Sequence, residues 1–110
     1  MKQREIWLAD LNPSGGSEQK GIRPVVVISG NAMNDHLGIG IVCLLSTRIK
    51  HYAGCIIVAG GRCSGLEKDS EILTFQIRTV AASRFIRKLG EITTEQLTEV
   101  KQGLFDILTY

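Results

Sequence analysis

Residues 4–29 read REIWLADLNPSGGSEQKGIRPVVVIS, two extended runs around one long polar connection. From Glu5 to Asp10 the side chains alternate, Ile6 and Leu8 against Trp7 and Ala9. That is the period-two pattern of a strand. From Asn12 to Gly21 there is no aliphatic or aromatic side chain, and Pro13, Gly15, Gly16 and Gly21 punctuate the stretch as a loop. Pro24 to Ile28 is a β-branched run, expected as a buried strand that starts at Pro24, where a missing N–H does least harm.

Working outward, the same alternation of short apolar runs and turn residues continues. Gly30 to Asp35 is expected as a turn or a single helical turn. Strands are expected over Ile39–Leu45, Cys55–Val58 and Ile72–Ile77, the last with Leu73, Phe75 and Ile77 on one face. Two more short strands are expected from Val80 and over Phe85–Leu89. One helix stands out at the C-terminus. Thr93 and Gln96 form a capping box, and Ile92 and Leu97 occupy the two positions of a hydrophobic staple. Leu97, Val100, Leu104, Ile107 and Leu108 then recur at helical spacing as one apolar face. Gly103 inside that helix implies close packing there. A string of short strands closed by a helix predicts a mainly β, α+β fold: a small curled antiparallel sheet or barrel with the helix packed beside it.

The chain has 110 residues, 44% of them hydrophobic and 22% charged, which suits one modest core and excludes a disordered chain. Residues 1–110 are expected to form a single domain. No apolar run approaches the roughly 18 residues of a membrane span, and the N-terminus has no signal-peptide core, so the cytoplasm is the expected compartment. Cys43, Cys55 and Cys63 form no CxxC pair, and His36 and His51 complete no zinc pattern. Cys43 and Cys55 read as core side chains and Cys63 as a loop thiol. Net charge is +2, but the region from Leu11 to Gly65 holds five basic and two acidic residues, and the remainder eight basic and nine acidic. The positive excess therefore lies with the long polar connections, a bias that suits a polyanion.

Two places offer chemistry. The loop from Asn12 to Gly21 brings Glu18, Lys20 and Arg23 to the edge of a rigid strand, and long loops on rigid scaffolds carry binding residues. It is not a phosphate-binding P-loop, because it has no GK[ST] and no following helix. Ser46 and Thr47, expected just past a strand end and followed by Arg48, offer hydroxyl and guanidinium donors suited to a phosphate.

The opening stretch resembles the N-terminal signature of the MazF/PemK family of bacterial toxins, which includes Kid. The shared residues are Ile6, Trp7, Leu11, Pro13, Gly16–Gln19 (GSEQ), Gly21, Arg23 and Pro24. Ser46 and Thr47, Gly65 and Leu66, Ser70, and Gln76 to Thr79 extend the likeness over nearly the whole chain. The resemblance implies an SH3-like barrel with a C-terminal helix. It also implies a homodimer that cuts single-stranded RNA at short sequences without a metal or other cofactor, silenced by a cognate antitoxin. By the same resemblance, Arg23 is the catalytic arginine, Ser46 the catalytic hydroxyl, and Glu18 and Gln19 line the RNA groove.

The implied reaction uses the ribose 2′-OH as nucleophile, leaving a 2′,3′-cyclic phosphate and a 5′-OH, so DNA is not a substrate. Arg23 suits charge stabilisation, since a guanidinium is a poor base at neutral pH. Glu18, the only carboxylate of the first loop, is the candidate base; its alternative is a surface acid paired with Lys20 or Arg23. Ser17, Gln19, Lys20, Thr47, Arg48, Lys50, His51 and Tyr52 are assigned to RNA contact, with Tyr52 stacking on a base. The sequence departs from the Kid branch at Ser17, Leu73 and Phe75, where that branch has a histidine, an arginine and an acid. Arg23 with Ser46 is therefore the surviving constellation. The alternatives are a non-enzymatic CcdB-like poison of DNA gyrase and a weakened member that only binds RNA or its antitoxin.

Overall fold

A computed structural model describes residues 1–12 and 21–110. Six strands, β1 (Glu5–Asp10), β2 (Ile22–Val27), β3 (Ile39–Ser46), β4 (Ile56–Val58), β5 (Ser70–Ala81) and β6 (Phe85–Glu91), form one sheet in the order β4-β5-β3-β2-β1-β6. Every neighbouring pair is antiparallel. The outer strands β4 and β6 do not pair with each other, so the sheet is a curled half-barrel. Helix α1 (Asn31–Leu37) joins β2 to β3, and helix α2 (Thr94–Thr109) follows β6.

Alternation along the strands divides the interior in two. Ile6, Val26, Cys43, Leu45 and Ile72 face the side covered by α2, where Ile92, Leu97 and Val100 meet them. Ala9, Val25, Val27, Val42 and Val80 face the other side, with Trp7 and Phe85 packed edge to face, ring centroids 5.8 Å apart. Each fully buried Val or Ile contributes about 1.5–3 kcal/mol by leaving water, which outweighs the weak local preferences of these short runs.

The C-terminal helix starts as its sequence requires. Thr93 Oγ1 accepts the Gln96 N–H at 3.0 Å, and Gln96 Oε1 accepts the Thr93 N–H at 2.9 Å. Its apolar face, however, is covered only in its first half. Leu97 and Val100 are buried and Leu104 is half-buried, whereas Ile107 and Leu108 are exposed. Gly103 lies against the 53–54 turn, and a Cβ there would stand 2.0 Å from the Gly54 carbonyl oxygen.

Several expected boundaries are corrected. The stretch expected as a turn or a single helical turn at Gly30–Asp35 is a longer, two-turn helix, closed by Gly38 in the left-handed conformation (φ 65°). Ser46 is the last residue of β3, not the first beyond it. The strands expected over Ile72–Ile77 and from Val80 are one strand of 12 residues. Its register on β3 jumps from Cys43↔Ile77 to Leu44↔Leu73, so residues 74–76 bulge out. The bulge separates Leu73, half-buried, from Phe75 and Ile77, both exposed, so the three do not share a buried face. Cys43 is buried as expected, but Cys55 is only half-buried just before β4, its Sγ 3.5 Å from Thr74 Oγ1. Burial, then the nearby Cys55 thiol, pushes the Cys43 thiol up to about 12, so it stays neutral.

Candidate nucleic-acid interface

The loop expected to carry Ser17, Glu18, Gln19 and Lys20 falls on residues 13–20, outside the described residues. Its two roots are well defined. The Leu11 N–H donates to the Gly21 carbonyl at 2.8 Å, closing the base of the loop. Asp10 Oδ1 accepts both the backbone N–H and the side-chain amide of Asn12, at 2.9 and 2.8 Å. The Arg84 guanidinium donates to the carbonyls of Asp10 and Asn12. Gly21 at the second root packs against the Asn12 side-chain amide, which would have to shift to admit a Cβ there.

Arg23 is exposed near the start of β2, paired across from Ala9 of β1. Its relation to Ser46 follows from register. Strands β2 and β3 pair as Val25↔Leu44 and then part. Counted on from that last pair, the register sets Arg23, two residues before Val25, against Ser46, two residues after Leu44. By alternation both lie on the face of Val25 and Leu44, the side of the smaller core. A guanidinium fork and a hydroxyl thus flank the notch where the two strands separate, a geometry that suits a phosphate. Ser46 Oγ also accepts the Arg48 N–H at 3.1 Å, which turns the chain after the strand.

The connection after Ser46 is held from below by a residue that sequence reasoning passed over. Glu71 is completely buried, opposite Ser46 in the β3–β5 ladder. Its two carboxylate oxygens accept the backbone N–H groups of Lys50 (2.8 Å) and Tyr52 (2.9 Å). His51 between them takes a positive φ of 55°, a conformation rare outside glycine. The result is an exposed basic loop with Arg48, Lys50, His51 and Tyr52 facing solvent. Tyr52 meets Phe75 edge to face, centroids 5.1 Å apart, both rings roughly half exposed. Phe75, expected on a strand face with Leu73 and Ile77 and marked as a missing acid, forms half of an exposed aromatic pair. The one signal for Glu71 was an acid at the head of an apolar strand run. Leu73 and Phe75 bring no charge to this region, so the Kid-type arrangement is absent here.

Thr47 and Pro24, neighbours of Ser46 and Arg23, help wall a cavity of about 500 Å³. Leu8, Leu66, Lys68 and Arg87 join them, from β1, the 59–69 loop and β6. Lys68 and Arg87 were not singled out in the sequence, and the cavity is formed from segments far apart in the chain.

A family model described as PemK-like, MazF-like toxin of type II toxin–antitoxin system matches residues 2–108. The chain belongs to that toxin family. It is 30% identical over 109 residues to Endoribonuclease MazF9 of Mycobacterium tuberculosis, with 94% of this chain and 92% of the relative covered. It is 36% identical over 105 residues to Endoribonuclease MazF of Staphylococcus saprophyticus, covering 94% and 88%. Among solved structures, MazF of Deinococcus radiodurans superposes with a TM-score of 0.76 at 27% identity over 99% of this chain and 96% of that one. A mycobacterial endoribonuclease in complex with its cognate antitoxin has the same fold, with a TM-score of 0.79 at 19% identity over 98% and 94%. The half-barrel with its C-terminal helix is thus the architecture of MazF toxins.

Proposed function

We propose that this toxin is a sequence-specific endoribonuclease. It cuts single-stranded RNA without a metal or other cofactor and is silenced by a cognate antitoxin protein. The observation that carries the reading is the shared level of Arg23 and Ser46 on adjoining strands, beside the basic, aromatic loop of residues 48–52. A phosphodiester in that notch meets paired N–H donors from Arg23 and a hydroxyl from Ser46. The ribose 2′-O forms a bond to phosphorus while the P–O5′ bond breaks, and the extra charge on the phosphoryl oxygens is met by donors already in place. Glu18 takes the 2′-OH proton, and the departing O5′ takes a proton from solvent water to leave as a 5′-OH. Arg48 and Lys50 meet flanking phosphates, and Tyr52 with Phe75 stacks on bases, each base–aromatic stack contributing about 1–3 kcal/mol. Ser17, Gln19, Lys20, Thr47 and His51 complete the contact surface.

The working unit is a homodimer in the cytoplasm, and the exposed apolar side chains Ile107, Leu108 and Tyr110 at the end of α2 supply material for a contact between copies. The gyrase-poison alternative finds less support: the two relatives at 30% and 36% identity are named endoribonucleases, and such a poison has no use for the Arg23–Ser46 pair. The test is primer extension on a long RNA incubated with the protein in EDTA. Discrete cuts are expected with the wild type and none with Arg23→Ala. Absence of cuts by the wild type, or the same cuts by the variant, would overturn the reading.

A further inference from the structure

We infer that Arg84 is a positioning residue of the cleavage reaction: its guanidinium fixes the backbone from which Arg23 reaches the phosphate. The inference deepens the nuclease reading and rests on it. Ala9 has Arg23 opposite it on β2 and Phe85, the residue after Arg84, opposite it on β6. The three strands are therefore level at this point. Successive residues of a strand turn their backbone groups to opposite edges. The Leu11 N–H points to β2, where it donates to the Gly21 carbonyl at 2.8 Å. The carbonyls of Asp10 and Asn12 thus point the other way, toward β6. But β6 begins at Phe85, so its ladder stops one residue short of the end of β1.

Arg84 takes over where β6 stops. It ends the short turn Ala82–Arg84 between β5 and β6 and is half-buried. Its Nη1 donates to the Asp10 carbonyl at 3.3 Å and also to the Asn12 carbonyl. A guanidinium nitrogen of this kind carries two hydrogens, so one nitrogen can serve both oxygens. Leu11 is thereby held between two fixed carbonyls, and its own N–H holds Gly21, two residues before Arg23. Arg84 is the one side chain in that series of bonds. A cavity of about 310 Å³, lined by Asp10, Leu11, Arg78 and Arg84 among others, flanks the same end of β1. Hydrogen bonds more than packing therefore keep this end in place. Arg23 is exposed and forms no ion pair among the described residues, so its aim depends on its backbone. Misplacing a catalytic group by about 1 Å can cost a hundredfold in rate.

Cleavage kinetics on one oligoribonucleotide test this, with Arg84→Ala and Arg84→Lys each made in the wild type and in Arg23→Lys. In the wild-type background Arg84→Ala is expected to lower kcat about tenfold or more and to leave KM within about twofold, the pattern of a group that serves only the transition state. Arg84→Lys keeps a donor without the planar fork and is expected to fall between. In the Arg23→Lys background the catalytic fork is already gone. There Arg84→Ala is expected to lower kcat by no more than about twofold, because the two residues act through one donor. A raised KM with kcat intact overturns the inference, since Arg84 then meets RNA itself. An equal loss of kcat in both backgrounds also overturns it, since a protein that is merely less folded loses activity whatever stands at position 23. Should Arg84→Ala fail to fold, Arg84→Lys gives the same comparison between backgrounds. An undiminished kcat in both Arg84 variants overturns the inference and leaves the nuclease reading standing. A wild type that cuts no RNA brings down that reading and the inference together.

Discussion

The buried Glu71 carboxylate accepts the Tyr52 backbone N–H at 2.9 Å, and through this bond and its twin to Lys50 it shapes the loop that follows Ser46. Hydrogen bonds to a charged group contribute about 1.5–3 kcal/mol each. Glu71→Ala is therefore expected to destabilise the protein by about 3 kcal/mol or more in urea unfolding. Glu71→Gln keeps one acceptor and turns a donor toward a donor, and is expected to retain the fold while raising KM for RNA more than it lowers kcat. A KM unchanged in a folded Glu71→Gln protein would remove the 48–52 loop from RNA binding.

Arg23 and Ser46 should differ in weight. Arg23 is exposed, so its replacement costs little stability, within about 0.5 kcal/mol. Loss of a preorganised donor to a developing oxyanion costs about 3–4 kcal/mol, or a hundredfold and more in kcat. Arg23→Lys keeps the charge and loses the fork, so it should recover only part of the activity. Ser46→Ala removes one neutral hydrogen bond and should lower kcat about tenfold. Single-turnover cleavage of one oligoribonucleotide by the three variants measures all of this, and equal rates for Arg23→Lys and wild type would mean that charge alone suffices.

Gly103→Ala should reverse a familiar sign. Alanine in a helix interior is normally better than glycine by up to about 1 kcal/mol. Here the new methyl would meet the Gly54 carbonyl oxygen at 2.0 Å, so α2 must move off the 53–54 turn. Overpacking of this kind costs typically about 1–3 kcal/mol. Thermal unfolding is expected to show a lower Tm, and a Tm raised by the substitution would contradict the close approach of the two glycines.

Glu5 should shape the acid side of the stability curve. Burial pushes its carboxyl up, but hydrogen bonds from Trp7 Nε1 and the Lys2 N–H, and the Lys88 ammonium at 3.0 Å, outweigh that and hold it below its ordinary 4.5. A carboxyl whose folded value is depressed contributes fully above its unfolded value. That contribution is lost as pH falls from about 4.5 through the folded value. Glu5→Gln is expected to flatten the fall in unfolding free energy below pH 4.5; an unchanged slope would assign the acid sensitivity elsewhere.

Local signals were legible, and signals that depend on distant partners were not. The capping box at Thr93 and Gln96 lies within four residues, so the start of α2 could be placed from the sequence. Arg23, Ser46 and the loop around them were legible because they stand in a recognisable motif. The extent of β5 was not. Its bulge at 74–76 breaks the period-two pattern, and only pairing with β3 shows that both halves are one strand. Glu71 gave no hint of its partners, which lie 19 and 21 residues earlier.

Written in the chain itself were the alternating apolar runs, the helix start and the residue types suited to a phosphate, because each depends on neighbours a few positions apart. The level of Arg23 with Ser46, the carboxylate beneath Tyr52 and the cavity lined by Lys68 and Arg87 were decided only by the curl and register of the sheet. Those are set by burying two apolar faces at once, a condition that no single segment can meet or reveal alone.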